Sequence, residues 1–157
     1  MTIIPLPSVR RRTPATPAAR EEPGGEALLR TAGAGPEDRV VAIGPGGAET
    51  LGAALRRGCR AASGLARPTG HPDPADVVVA RGIHSEEDAL PVLEAGRRAL
   101  SDGLRGGRLV LSLLGAGLAR RLVARLAERG FTRVQLLPQR EGGVLLLCAL
   151  PAPVRRA

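Results

Sequence analysis

Gly44, Gly46 and Gly47 stand together between an apolar run and a helical one, and Glu49 follows them. Glycines at a strand-to-helix junction supply backbone angles that other residues resist. They also leave the first N–H groups of the helix open to an anion. The stretch VVAIGPGGAETLGAALRRG, Val40 to Gly58, therefore opens like a nucleotide-binding fold. One expectation is that Gly44, Gly46 and Gly47 approach a ligand with Glu49 beside them. The plainer one is a tight turn, with Glu49 complementing the positive end of the helix. The remaining chemistry is sparse. His71 lies in the loop RPTGHPDP, and His84 follows an apolar run near the edge where open α/β sheets bind ligands. A base could stand at His84, but no partner acid is legible, so no catalytic residue is assigned. Ser–His–Asp, GxxxxGK and metal-ligand patterns do not occur, which leaves hydrolase, NTPase and metal-site readings without support.

These residues sit in a chain of 157, enough for one domain with its own core. Its apolar residues are mostly Ala, Leu and Val, with Phe131 the one aromatic. All 23 basic residues are Arg and the formal charge is +8, a composition that points to a GC-rich bacterial genome. That charge attracts nucleic acid, yet a chain with a single phenylalanine makes a poor single-strand platform. A protein partner or a second copy is the favoured expectation. Cys59 and Cys148 read as two buried, reduced thiols, hence a cytoplasmic protein. No run reaches the roughly 18 apolar residues of a membrane span.

Residues 1–36 are rich in Pro, Arg, Ala and Gly and read as a disordered arm, with EALLR a short helical possibility inside it. Residues 37–152 carry the pattern, and 153–157 form a basic tail. Arg39–Ile43 is a strand, Ala48–Arg57 a helix with Leu51 and Leu55 on one face, and Arg60–Leu65 a weak strand. DVVVA, Asp76–Ala80, reads as a strand buried on both faces. Ser85 caps the next helix, in which Pro91 fits only the first turn. Arg108–Leu114 is a strand and Gly117–Arg129 a helix with Leu118, Leu122 and Leu126 in register. Thr132–Leu137 and Val144–Leu150 then pair as an antiparallel hairpin. The expected architecture is α/β, with helices on both faces of a mostly parallel sheet. Arg120, Arg121, Arg125 and Arg129 lie around the polar side of the last helix, either as a solvated face or as a docking surface for an acidic partner.

In this order the segments resemble the class I S-adenosylmethionine-dependent methyltransferase fold. RVVAIGPGGAETLGAALRRG is similar to the family's first strand, glycine loop and helix, and ADVVVARGIH to its fourth strand. ALSDGLRGGRLVLSLL resembles the fifth strand with its Gly-Gly turn, and GGVLLLCALPAP the terminal strand. A dinucleotide-binding reading fits less well, because GPGGAE completes only part of GxGxxG. The resemblance implies S-adenosylmethionine at the glycine loop. It also implies a carboxylate in the first strand and a second one, holding the ribose hydroxyls, after the second. Ala42 and Ala66 occupy those places. One helix–strand unit is missing after the second strand, leaving it at a sheet edge. The expectation is a shortened methyltransferase-like domain acting as a non-catalytic accessory subunit. The alternative is an active methyltransferase completed by a partner.

Overall fold

The computed structural model describes residues 22–101 and 105–154. The apolar runs form the six strands β1 (Arg39–Ile43), β2 (Ala61–Leu65), β3 (Val77–Ile83), β4 (Gly107–Leu114), β5 (Thr132–Pro138) and β6 (Gly143–Leu150). They make one sheet in the order β2-β1-β3-β4-β6-β5. The first four strands run parallel, and β6 lies antiparallel to both β4 and β5. The shortened parallel sheet with a terminal antiparallel hairpin is as the sequence predicts, and β2 lies at an edge.

Parallel strands in the middle of a sheet need cover on both faces. Val41, Ile43, Val78, Ala80, Leu109 and Leu111 pack on one face beneath α3 (Glu86–Ser101) and α4 (Ala116–Glu128). Leu118, Leu122 and Leu126 of α4 are buried there, at the predicted spacing. Val40, Ala42, Val77, Val79 and Val110 pack on the other face beneath α1 (Gly25–Ala32) and α2 (Gly47–Arg56).

Helix α1 corrects the expected arm. Leu28 and Leu29 are fully buried, so the folded unit begins before residue 37. Burying each leucine contributes about 1.5–3 kcal/mol, which outweighs the poor composition of its surroundings. A Cβ on Gly25 would stand 2.6 Å from Thr50 Cα, so α1 and α2 touch backbone to backbone. Two arginines also fasten α1. Arg57 donates to Ala34 O at 2.9 and 3.1 Å and to Glu26 at 2.8 Å. Arg108 donates to Ala32 O at 2.9 Å and to Asp38 Oδ1 at 2.7 Å. The remainder of the expected arm, residues 1–21 with Arg10, Arg11 and Arg12, lies outside the described residues, as does most of the tail.

Three smaller readings change. Thr50, Ala53 and Ala54 form the buried face of α2 and Leu55 is exposed, because α1 takes the close-packed side. Ser85 caps α3 as predicted, accepting from Asp88 N at 3.1 Å. Pro91 nevertheless sits past the first turn, on the exposed side, where water can satisfy the carbonyl left without its N–H partner. Cys59 is half-buried rather than buried, while burial pushes the Cys148 thiol up to about 12. The two thiols belong to opposite faces of the sheet and are free.

Truncating a fully buried leucine leaves a cavity. Leu29→Ala is therefore expected to lower unfolding free energy in urea by about 2–5 kcal/mol. A loss under about 0.5 kcal/mol, the size of an ordinary surface substitution, would show that α1 is not docked.

Candidate functional site

The chain leaves β1 for β2 on one side of the sheet and for β3 on the other. The carboxyl ends of these strands therefore flank a crevice, the usual binding position in an open α/β sheet. A cleft of about 410 Å³ lies there, lined by Gly44, Pro45, Ala66, Arg81 and His84 among others. A larger groove of about 820 Å³ lies at the opposite edge, away from the glycine loop.

The glycines of the loop differ in what they face. Gly44 has φ +84°, and a Cβ there would meet nothing within 4 Å, so its backbone is open to approach. Gly46 also has positive φ, at +77°, but a Cβ there would stand 2.7 Å from an Arg81 guanidinium nitrogen. The close approach expected of a ligand is made at Gly46 by a side chain of the protein. Gly47 begins α2 and lies over Ala42, whose Cβ would be 4.0 Å from one built on the glycine.

Glu49 holds Arg81 in place. One carboxylate oxygen accepts from Arg81 Nη1 at 2.5 Å, and the other accepts from the Gly25 N–H at the start of α1 at 3.0 Å. The acid thus joins the α1 start, the loop and the end of β3. The Arg81 hydrogen bond first, and the Gly25 hydrogen bond second, hold the Glu49 carboxyl below its ordinary range. Arg81 Nε is buried with no hydrogen-bond partner among the described residues. Arg81 is not among the residues the sequence places at this site. Its signal is a charged residue, followed by a positive-φ Gly82, interrupting the apolar run of β3.

His84 is exposed in the cleft, where Glu87 and Asp88 of α3 also lie. Ala66 is exposed at the end of β2, so an acid would fit there, but none is present. His71 lies on the loop, exposed, outside this cleft. Among the described residues no group of three His, Cys, Asp or Glu side chains is placed to hold a metal ion.

Three of the four arginines singled out on α4 are tied to α3. Arg125 donates to Glu86 at 2.9 Å and Arg129 to Glu94 at 2.6 Å, while Arg121 lies 3.8 Å from Glu86. They clasp the two helices together, leaving Arg120 outside the clasp. Such exposed pairs contribute little individually.

The geometry has counterparts among solved structures. An S-adenosylmethionine-dependent O-methyltransferase from Thermotoga maritima matches with a TM-score of 0.65 at 10% identity, over 84% of this chain and 66% of that one. The present chain has a class I methyltransferase-like fold. A precorrin-6y C5,15-methyltransferase from Geobacter metallireducens matches with a TM-score of 0.58 at 15% identity, over 82% of this chain and 86% of the other. A ribosomal protein L11 methylase from Lactobacillus delbrueckii subsp. bulgaricus gives 0.56 at 16% identity, over 74% and 71%. This chain thus spans just under two thirds of the Thermotoga protein's length. No protein-family model and no curated protein matches the sequence.

A carboxylate whose folded-state pKa is depressed adds stability above its unfolded value. For Glu49 that contribution is present above the ordinary 4.5 and is lost as pH falls through the lower, folded-state midpoint. In Arg81→Ala the Glu49 carboxyl resonance is expected to titrate at higher pH than in the parent protein. An unchanged midpoint would mean that Gly25 alone sets it.

Proposed function

We propose that this methyltransferase-like domain does not transfer methyl groups by itself and serves as an interaction or accessory subunit. The observation that carries the reading is the Arg81 guanidinium packed on Gly46 and held there by Glu49. The residues of the cleft do not fit S-adenosylmethionine in the manner the fold implies. Ala66 offers no acceptor to ribose hydroxyls, and Ala42 none to the loop. Losing an acid that accepts from both hydroxyls removes about 3–6 kcal/mol, since each hydrogen bond to a charged group contributes about 1.5–3. That corresponds to about two to four decades of affinity.

The partner surface proposed is the β2 edge, whose outer backbone groups have no neighbouring strand among the described residues. Exposed Leu55 on α2, which packs against β2, extends it. Either a protein partner or a second copy of the chain would pair there. Both thiols being free suits a reducing compartment such as the cytoplasm.

One observation favours an active methyltransferase as the second reading. Gly44 is open to the cleft, and Arg81, whose buried Nε has no partner among the described residues, lines the same cleft. In that case a partner would supply the missing acids, and Glu49 would release Arg81.

Calorimetry with S-adenosylhomocysteine separates the two. Heat that does not saturate up to about 1 mM ligand is expected for the isolated protein, corresponding to binding weaker than about −4 kcal/mol. Saturable micromolar binding, abolished by Gly46→Val, would overturn the non-catalytic reading.

A further inference from the structure

The groove of about 820 Å³ runs along the amino-terminal edge of the parallel strands, opposite the glycine loop. Arginines Arg39, Arg60, Arg105, Arg108 and Arg133 contribute to its walls, against the acids Glu37, Asp38 and Asp76. The floor is fixed by internal pairs. Asp76 accepts from the Arg39 backbone N–H at 2.9 Å and from its Nε at 3.1 Å, and Asp38 accepts from Arg108 at 2.7 Å. Burial pushes the Asp76 carboxyl up, but the hydrogen bonds from Arg39 together outweigh it and hold the group below its ordinary range. Asp38 and Asp76 are thereby consumed, and Glu37 is exposed at the groove's rim without a partner among the described residues. Arg60, Arg105 and Arg133 are exposed, and their guanidinium groups have no partner among the described residues.

Topology spreads these three cations in a row. Arg60 precedes β2 at one edge of the sheet, Arg105 precedes the central β4, and Arg133 lies on β5 at the other edge. With strands about 4.8 Å apart, Arg60 and Arg105 are separated by about 14 Å, and Arg105 and Arg133 by about 10 Å. Arg133 is turned into the groove by a bulge. Its φ is +53°, unusual for a residue with a side chain, at the register shift between Thr132 and Gln135. Backbone held in that region at a bulge is a feature to connect with function.

We propose that this groove binds the phosphate backbone of a double-helical nucleic acid, through Arg60, Arg105 and Arg133. A row of cations spanning about 24 Å suits a repeating anion better than a single phosphate, which would need them to converge. Planar guanidinium groups pair with phosphate oxygens through two parallel hydrogen bonds. A chain with one phenylalanine cannot stack unpaired bases along the groove, which favours a duplex whose bases are already stacked. Contacts of this kind are independent of base sequence.

The test is fluorescence anisotropy on the full chain, with labelled duplex RNA and duplex DNA of about 20 base pairs, since backbone contacts suffice for binding. The groove variant is Arg60→Ala, Arg105→Ala and Arg133→Gly, the glycine suiting the positive φ. The control variant, Arg56→Ala, Arg67→Ala and Arg140→Ala, removes the same charge from exposed positions outside the groove. Binding of either duplex is expected; a preference between them identifies which duplex is the ligand. The groove variant should weaken it at least about tenfold and flatten the slope of log K against log salt by about 2–3, at about 0.9 per phosphate contact. The control should change affinity less than about threefold. Equal losses in the two variants would overturn the proposal, because net charge alone would then account for binding. Capture of a polyglutamate peptide with no binding of either duplex would also overturn it, as would no binding of any of them.

Discussion

A parallel sheet must be covered on both faces, and among the described residues two helices cover the second face. Helix α2 supplies small residues, Thr50, Ala53 and Ala54, so the leucines of α1 must fill the rest. The N-terminal end of α1 is held by the hydrogen bond from the Gly25 N–H to Glu49, beside the Arg57–Glu26 pair. Glu49 is also the acid beside the glycine loop. Its other oxygen holds Arg81, and Arg81 fills the space over Gly46. The requirement for a second covering helix is therefore connected, through one carboxylate, to the state of the loop.

The strand, loop and helix of this cleft are also parts the sheet requires. The strand–loop–helix unit is retained because the sheet needs it: β1 is central and α2 covers it. The positive φ values of Gly44 and Gly46 are conditions of the turn whether or not a ligand is present. Ala42 is buried against the α1 side of the sheet, where small apolar volume serves packing. Ala42 and Ala66 stand where the resemblance implies carboxylates.

Much of the fold was legible because it is written in local pattern. The apolar runs of β1, β3, β4 and β6 locate the strands to within a few residues, and the short Arg60–Leu65 segment followed at once by a loop reveals the missing unit. The spacing of Leu118, Leu122 and Leu126 likewise fixes the buried face of α4. Docking of α1 was not legible, since an eight-residue helix among Gly and Pro has no periodicity long enough to show a face. Arg81 and Glu49 are 32 residues apart and meet only when β1 and β3 lie side by side. The α4 arginines illustrate the same limit: their helical face is visible in sequence, but their partners Glu86 and Glu94 on α3 are not.

The most direct measurement is backbone amide NMR of Gly44, Gly46 and Gly47 during titration with S-adenosylmethionine. If Arg81 and Glu49 close the loop, the Gly46 and Gly47 resonances stay in place through millimolar ligand, and their amide exchange slows only when the Glu49 carboxylate is charged. Saturating shifts at all three glycines, with loss of the Glu49–Arg81 pair, would contradict that account and make the loop a cofactor site.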